Sequence, residues 1–375
     1  MNFRKFRFTF LTLTILTVSA VALLSSRAMG ADPAAGLKPG KAALKSAGAL
    51  AFGPEGILFV GDSAGAAVFA LDTEDRTVSS AGPVEIKSIN VKVAAYLGTA
   101  ADQILINDLA VNPISMKIYL SASRGRGPDA APVILQIDPA GGIKELSLDG
   151  IRHSKVNLPN APDADAKDRR GRSLRVQAIT DLAYVAGKVI VAGLSNEEFA
   201  SNLRSIPFPF TEADAGTSVE IYHGNHGQWE TRAPVRSFVP FDIKTEPHLL
   251  AAYTCTPLVT FPLADLMKSG TKVVGTTIAE LGNRNRPLDM IVYKNGGSDY
   301  ILMNNSSRGV MKLSADKLET FEGITERVSG VKGVPYETIA ELKGVKQLDN
   351  WDDGYAIILV ENENGTMDLK TIALP

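Results

Sequence analysis

The feature that most constrains this chain is a recurring unit of short strands separated by tight turns. Residues 52–72, FGPEGILFVGDSAGAAVFALD, show it most fully. A turn at Pro54-Glu55-Gly56 precedes the run ILFVGD, and a small-residue turn SAG precedes the run AAVFALD. Short apolar or alternating runs bounded by Gly, Pro, Asn and Asp form strands, because side chains alternate faces and those residues take up the turn geometry. The pattern returns at DLAVNPISMKIYL (108–120) with VILQIDPAGG behind it, and at DLAYVAGKVIVA (181–192). It returns again in the segments 237–260, 289–313 and 349–374. One repeat is nearly literal: TIAEL occurs at 277–281 and at 338–342, followed by Leu288-Asp289 and Leu348-Asp349.

The units start near Leu50, Leu109, Leu182, Phe238, Met290 and Asn350, which leaves room for four strands and their loops in each. A four-stranded sheet that is apolar on both faces cannot cover itself. It packs between two neighbours, and a ring of such sheets closes without exposed ends. The sequence therefore predicts an all-β fold, a β-propeller with six blades favoured, occupying 32–375 as a single domain. An N-terminal strand at about 41–47 is expected to complete the last blade. LADLMKSG (263–270) is the best candidate for a short helix.

Residues 1–31 read as an N-terminal signal peptide. NFRKFRF is basic, TFLTLTILTVSAVALL is apolar, and SSRAMGADP supplies small residues for cleavage. The apolar run is short for a membrane span. Without the four basic residues of this segment, 35 basic face 41 acidic residues, a net charge of −6. The expected product is a periplasmic or secreted protein with no membrane span after cleavage. This charge balance argues against a nucleic-acid partner. With 45% apolar and 21% charged residues, the chain is not a disordered one. A single cysteine, Cys255, excludes an internal disulfide and a cysteine-cluster metal site.

The pattern PEGILFVGDSAGAAVFALD resembles the repeat of NHL-type propellers, with Pro-x-Gly, an apolar strand, Asp with a small residue and Gly, and a second strand. That resemblance implies a blade and no particular activity.

In a propeller the innermost strands line a central channel, and polar residues repeated at their starts are candidates for chemistry. Asn107-Asp108, Thr180-Asp181, Leu288-Asp289 and Leu348-Asp349 hold such positions, and Asn304 lies at a strand end. Convergence of Asp108, Asp181, Asp289 and Asn304 would make an oxygen shell suited to calcium. The competing reading is structural: an Asp beside a strand bonds nearby backbone.

RPLDMIVYKNGG around Asp289, with Asn107-Asp108, is similar to calcium-dependent lactonases of the gluconolactonase type. The chain departs from them where Gly48-Ala49 replaces the family's first-blade Glu. Gly282-Asn283-Arg284-Asn285-Arg286-Pro287 resembles a motif of quinone-dependent sugar dehydrogenases. There Asn283 stands in place of the His that would be the general base.

Other residues are candidates for a ligand or partner surface. SASRGRG offers Arg124 and Arg126 to an anion, and His248 is expected at the start of an inner strand. SNEEFASNLRSIPFPFT combines Arg204 with Phe208 and Phe210 in a Pro-interrupted run suited to a lid or partner face. His223 and His226 in YHGNHGQWE would need a third ligand to hold a transition metal, and are otherwise exposed turn histidines. The loop 158–176, with three Asp followed by four Arg, reads as a solvated connection. The reading that follows is an exported binding module that takes a small molecule or protein at the propeller mouth. The alternative is a lactonase-like hydrolase with calcium in the channel and no other cofactor.

Overall fold

The second and third strands of the first unit, Ile57–Asp62 and Ala67–Asp72, are buried at every position. A sheet with two buried faces needs a neighbour on each side, and a closed ring supplies both. The computed structural model describes residues 34–375 apart from 80, 81, 256, 269 and 271. The expected signal peptide therefore lies outside the described residues. Six sheets are present, and their inner strands contact one another in a closed circle. The molecule is a six-bladed β-propeller.

Blade 1 runs from the channel outward through Leu50–Phe52, Ile57–Asp62, Ala67–Asp72 and Ile151–Asn157, with Lys38–Gly40 on its edge. Blade 2 comprises Ile104–Val111, Ile118–Arg124, Ala131–Ile137 and Ile143–Glu145. Blade 3 begins at Asp181–Val185 and continues through Lys188–Leu194 and Ser201–Pro207 to Thr217–His223, which pairs with both Gln228–Glu230 and Lys272–Val274. Blades 4, 5 and 6 begin at Ser237–Ile243, Pro287–Asn295 and Val345–Asn350.

The order around the ring is not the order along the chain. Inner-strand contacts run from blade 1 to 3, 4, 5, 6 and 2, and back to 1. The first three strands of blade 1 thus fill a slot between blades 2 and 3. Two long-range pairings lock this arrangement. Ile151–Asn157, which follows blade 2 in sequence, pairs with Ala67–Asp72 as the outer strand of blade 1. Glu85–Ile86 pairs with Met367–Ala373 as the outer strand of blade 6. The last blade is therefore completed by residues 85–86. The expected strand at 41–47 does not form, and its backbone instead caps Asp62, which accepts the N–H groups of Lys45 and Ser46 at 2.9 and 2.8 Å.

Helix is scarce. Leu263–Leu266 forms a short helix within the expected segment. Ile89–Tyr96 forms a longer one after Glu85–Ile86, burying Ile89, Val93 and Ala94 in the core between blades 6 and 2. Among the described residues, no helix is long and apolar enough to cross a membrane. Gly193 is one position where glycine is required: a Cβ there would collide with the Ala178 carbonyl, where the loop into blade 3 crosses its second strand.

Candidate functional site

The channel has two parts, and the inner strands explain both. Residues before or early in the inner strands, with others from second strands and the loop 158–176, ring one mouth, a cavity of about 500 Å³. Arg172, Arg236 and Arg286 line it, with Asn107, Gln177, Thr180 and the serines 46, 63, 123 and 173. The lining contains no carboxylate, imidazole or thiol. Arg236 precedes the first strand of blade 4. Its Nη2 donates to Gln177 Oε1 at 2.8 Å and its Nε to Thr254 Oγ1 at 3.3 Å. Burial pushes its guanidinium down to about 10, and the charges of Arg286 and Arg172 push the same way. Arg172 comes from the loop read as a mere connection, and it pairs with Asp168 at 2.6 Å. Arg286 is exposed at the start of blade 5. Three cations therefore share one mouth whose lining holds no carboxylate, and one of them, Arg172, is paired with Asp168. That is an anion-receptive arrangement, because a guanidinium donates two parallel hydrogen bonds to a carboxylate or phosphate.

The wider cavity, about 1190 Å³, is lined by Asp108, Asp181, Asp289 and Asp349 with many apolar side chains, and also by Lys294, Asp299, Asp352 and Asp353. Each aspartate ties its blade to the next. Asp108 accepts the N–H of Leu50 at 2.7 Å and Asp181 that of Phe238 at 2.8 Å. Asp289 accepts from Leu348 at 2.9 Å and Asp349 from Val111 at 2.7 Å. The other oxygen of Asp181, Asp289 and Asp349 accepts the N–H of the following residue at 2.7–2.8 Å. Ala49 in blade 1 and Ser237 in blade 4 stand at the corresponding positions, so the ring of ties is broken twice.

These carboxylates face the channel but are packed in protein. Burial raises Asp181 to about 7 and Asp349 to about 6. Burial first, and then the charges of the other channel aspartates, hold Asp108 and Asp289 well above the ordinary carboxylate range. Asp108, Asp181 and Asp289 thus lie on inner strands and share one cavity, as a channel site requires. They do not gather at one point, however. Among the described residues, the His, Cys, Asp or Glu ligand atoms that lie within 4.8 Å of one another as a group of three belong to His223, His226 and Glu230.

The remaining candidates fall elsewhere. Asn304 is on the second strand of blade 5, fully buried, and its Nδ2 donates to the Val345 carbonyl at 3.1 Å. It lines neither cavity. Arg126 spends its guanidinium on the carbonyls of Asp102 and Ile104. Arg124 is exposed at the end of a second strand, outside both cavities. His248 is the third residue of the second strand of blade 4, Glu246–Ala252, not of an inner one, and its Nδ1 lies 2.7 Å from the Glu246 carbonyl. Arg204 is not a surface residue: it is 1% exposed, and its Nη2 donates to the Pro159 carbonyl at 3.0 Å.

Phe208 and Phe210 do not form a lid. They pack edge-on to each other and against Phe59, within the core between blades 1 and 3. The Pro-interrupted run marked a packed corner, because both rings find apolar partners on the neighbouring blade. Cys255 sits partly exposed in the turn after Glu246–Ala252, with its N–H donated to the Asn285 carbonyl at 2.7 Å.

No described protein family and no curated protein matches this sequence. Solved structures resemble it distantly. A Thermus thermophilus protein described as a putative oxidoreductase (glucose dehydrogenase) is 12% identical, with a TM-score of 0.36 over 90% of this chain and 100% of that one. A PQQ-bound aldose sugar dehydrogenase from Streptomyces coelicolor is 12% identical, with a TM-score of 0.30 over 89% of this chain and 96% of that one. A B. thetaiotaomicron structure described as the extracellular domain of a putative one-component system is 8% identical, with a TM-score of 0.36. That match covers 89% of this chain and 39% of the other. These likenesses assign no activity to this chain.

Proposed function

We propose that this protein is an exported β-propeller that binds a small oxyanion-bearing solute, without transforming it, at the arginine-lined channel mouth. The observation that carries the reading is the mouth itself: Arg172, Arg236 and Arg286 around about 500 Å³, with no carboxylate in the lining. That volume is in the usual range for a small-molecule site. Serine, threonine and amide side chains between the guanidiniums offer neutral hydrogen bonds, which suits a polar organic anion better than a bare ion. The lining lacks any group with a pKa suited to general acid–base work, and this favours binding over turnover. Export rests on the signal-like sequence of residues 1–31.

The test is calorimetric titration of the mature chain with a panel of carboxylates, phosphate esters and sulfate esters, at low and high salt. The reading expects binding by at least one class, weakened by salt and lost in Arg236→Gln/Arg286→Gln. Neutral ligands binding as well as their charged analogues, or binding that survives the double substitution, would overturn it.

A further inference from the structure

A second constellation lies on the outer edge of blade 3, in the hairpin that joins Thr217–His223 to Gln228–Glu230. The two strands pair so that His223 is opposite Gln228, which brings Glu230 back beside both histidines. His223 Nδ1 lies 2.9 Å from Glu230 Oε2, and His226 Nδ1 lies 2.5 Å from Glu230 Oε1. The two imidazoles are 3.8 Å apart between ring centres. Blade 4 holds the hairpin in place. Buried Glu280 accepts the N–H of Gly224 and the Nδ2 of Asn225, both at 2.6 Å, and Asn225 Nδ2 also reaches the Gly330 carbonyl at 3.2 Å.

We infer that His223, His226 and Glu230 form a binding site for a divalent first-row transition metal, with zinc the best match. The donor set is two imidazole nitrogens and a carboxylate, the three-ligand pattern that leaves a fourth tetrahedral position open to water. With bonds of about 2.0–2.1 Å to such an ion, ligand atoms stand about 3.4 Å apart. The present separations of 2.5 and 2.9 Å need to open by less than about 1 Å, which side-chain rotation supplies.

Exposure divides the roles. The His223 side chain is 2% exposed and Glu230 15%, so one wall is fixed by packing, while His226 at 44% leaves an approach for the ion. His223 Nε2 is buried with no hydrogen-bond partner, 3.9 Å from Glu280 Oε2. A metal on Nδ1 would put the ring's proton on Nε2, facing Glu280. An outer carboxylate of this kind orients a metal-binding histidine. All three ligands belong to this one hairpin, so the ion would fasten its turn to its second strand.

The experiment uses the mature chain made without a polyhistidine tag and stripped with a chelator. Zinc binding is measured by elemental mass spectrometry after dialysis, and cobalt(II) by its visible absorption. The expected result is one zinc per chain, cobalt bands of a four- or five-coordinate ion, and a melting temperature that rises with zinc. His226→Ala changes a half-exposed ring and leaves the metal-free melt near wild type. It should weaken zinc binding by at least about tenfold, since losing a ligand costs no less than losing an outer partner. Glu230→Gln should do the same, and Asp289→Asn in the channel should not. Absence of zinc from the wild-type chain, or zinc retained equally by His226→Ala and Glu230→Gln, would overturn the assignment.

Discussion

The two parts of the channel carry opposite charge and opposite logic. The aspartates of the wide part occur at the same position in four blades, and each is tied to backbone N–H groups of its own or the adjacent blade. The arginines of the mouth follow no repeat. Arg172 comes from a long loop, and Arg236 and Arg286 precede two different blades. A polar residue that recurs with the blades is there because each blade needs it. One that breaks the repeat and faces a mouth lined by no carboxylate has been left available for something outside the chain. The same contrast holds between the channel aspartates and Glu230, which occurs once and meets two histidines.

The largest effect expected from this comparison is on stability. Asp289→Ala leaves the N–H groups of Leu348 and Met290 without their acceptor, at roughly 1–3 kcal/mol for each. Thermal and denaturant melts should show this loss, and Asp289→Asn, which keeps one acceptor oxygen, should lose less. An Asp289→Ala chain as stable as wild type would end the view that these residues fasten blades together.

A graded effect follows from their titration. The folded chain keeps protons on Asp181 up to about pH 7 and on Asp349 up to about pH 6, whereas an unfolded chain releases them near the ordinary Asp value of 3.8. The folded state therefore binds more protons in that window, and this contribution to stability is lost as pH rises through 6 to 7. Melts from pH 4 to 8 should fall across the window, with a flatter profile in Asp181→Asn. A rise over the same range would show that other groups govern the pH dependence.

The mouth should respond in binding and not in folding. Arg236→Gln/Arg286→Gln is expected to remove calorimetrically detectable anion binding, with little change in melting temperature. A large drop in stability would move these arginines to the structural side of the comparison. The smallest effect is expected at Arg204, a buried cation whose Nε and Nη1 lack partners. Burial pushes its guanidinium down to about 10. Arg204→Met should be neutral or stabilising, since an apolar chain of similar length avoids the desolvation cost, and a destabilised melt would show that its bond to Pro159 outweighs that cost.

The inner strands near Leu50, Leu182, Phe238 and Met290 were legible because strand alternation and turn chemistry are written over a few residues. Those of blades 2 and 6 begin earlier than the sequence suggests, at Ile104 and Val345, so Leu109 lies inside one and Asn350 ends the other. The channel position of Asp108, Asp181 and Asp289 followed from the same register. The Ile89–Tyr96 helix was not legible, since its Ile and two Val favour strands as readily as a helix. Phe208 and Phe210 read as an exposed pair because sequence does not show that Phe59 of another blade lies against them. The third ligand of the histidine pair lay in plain view at Glu230, four residues after His226. Only the register of the hairpin brings it back to both rings.

Taken alone, the sequence determined a ring of six small sheets with a polar channel, because local periodicity and mutual covering of apolar faces leave few other solutions. The tertiary structure decided the order of that ring. The slotting of the first three strands between blades 2 and 3, and the use of Glu85–Ile86 to close blade 6, depend on backbone pairing between segments far apart in the chain. Backbone hydrogen bonds are alike for nearly every residue, so they leave no pattern in the sequence that says which strand will meet which.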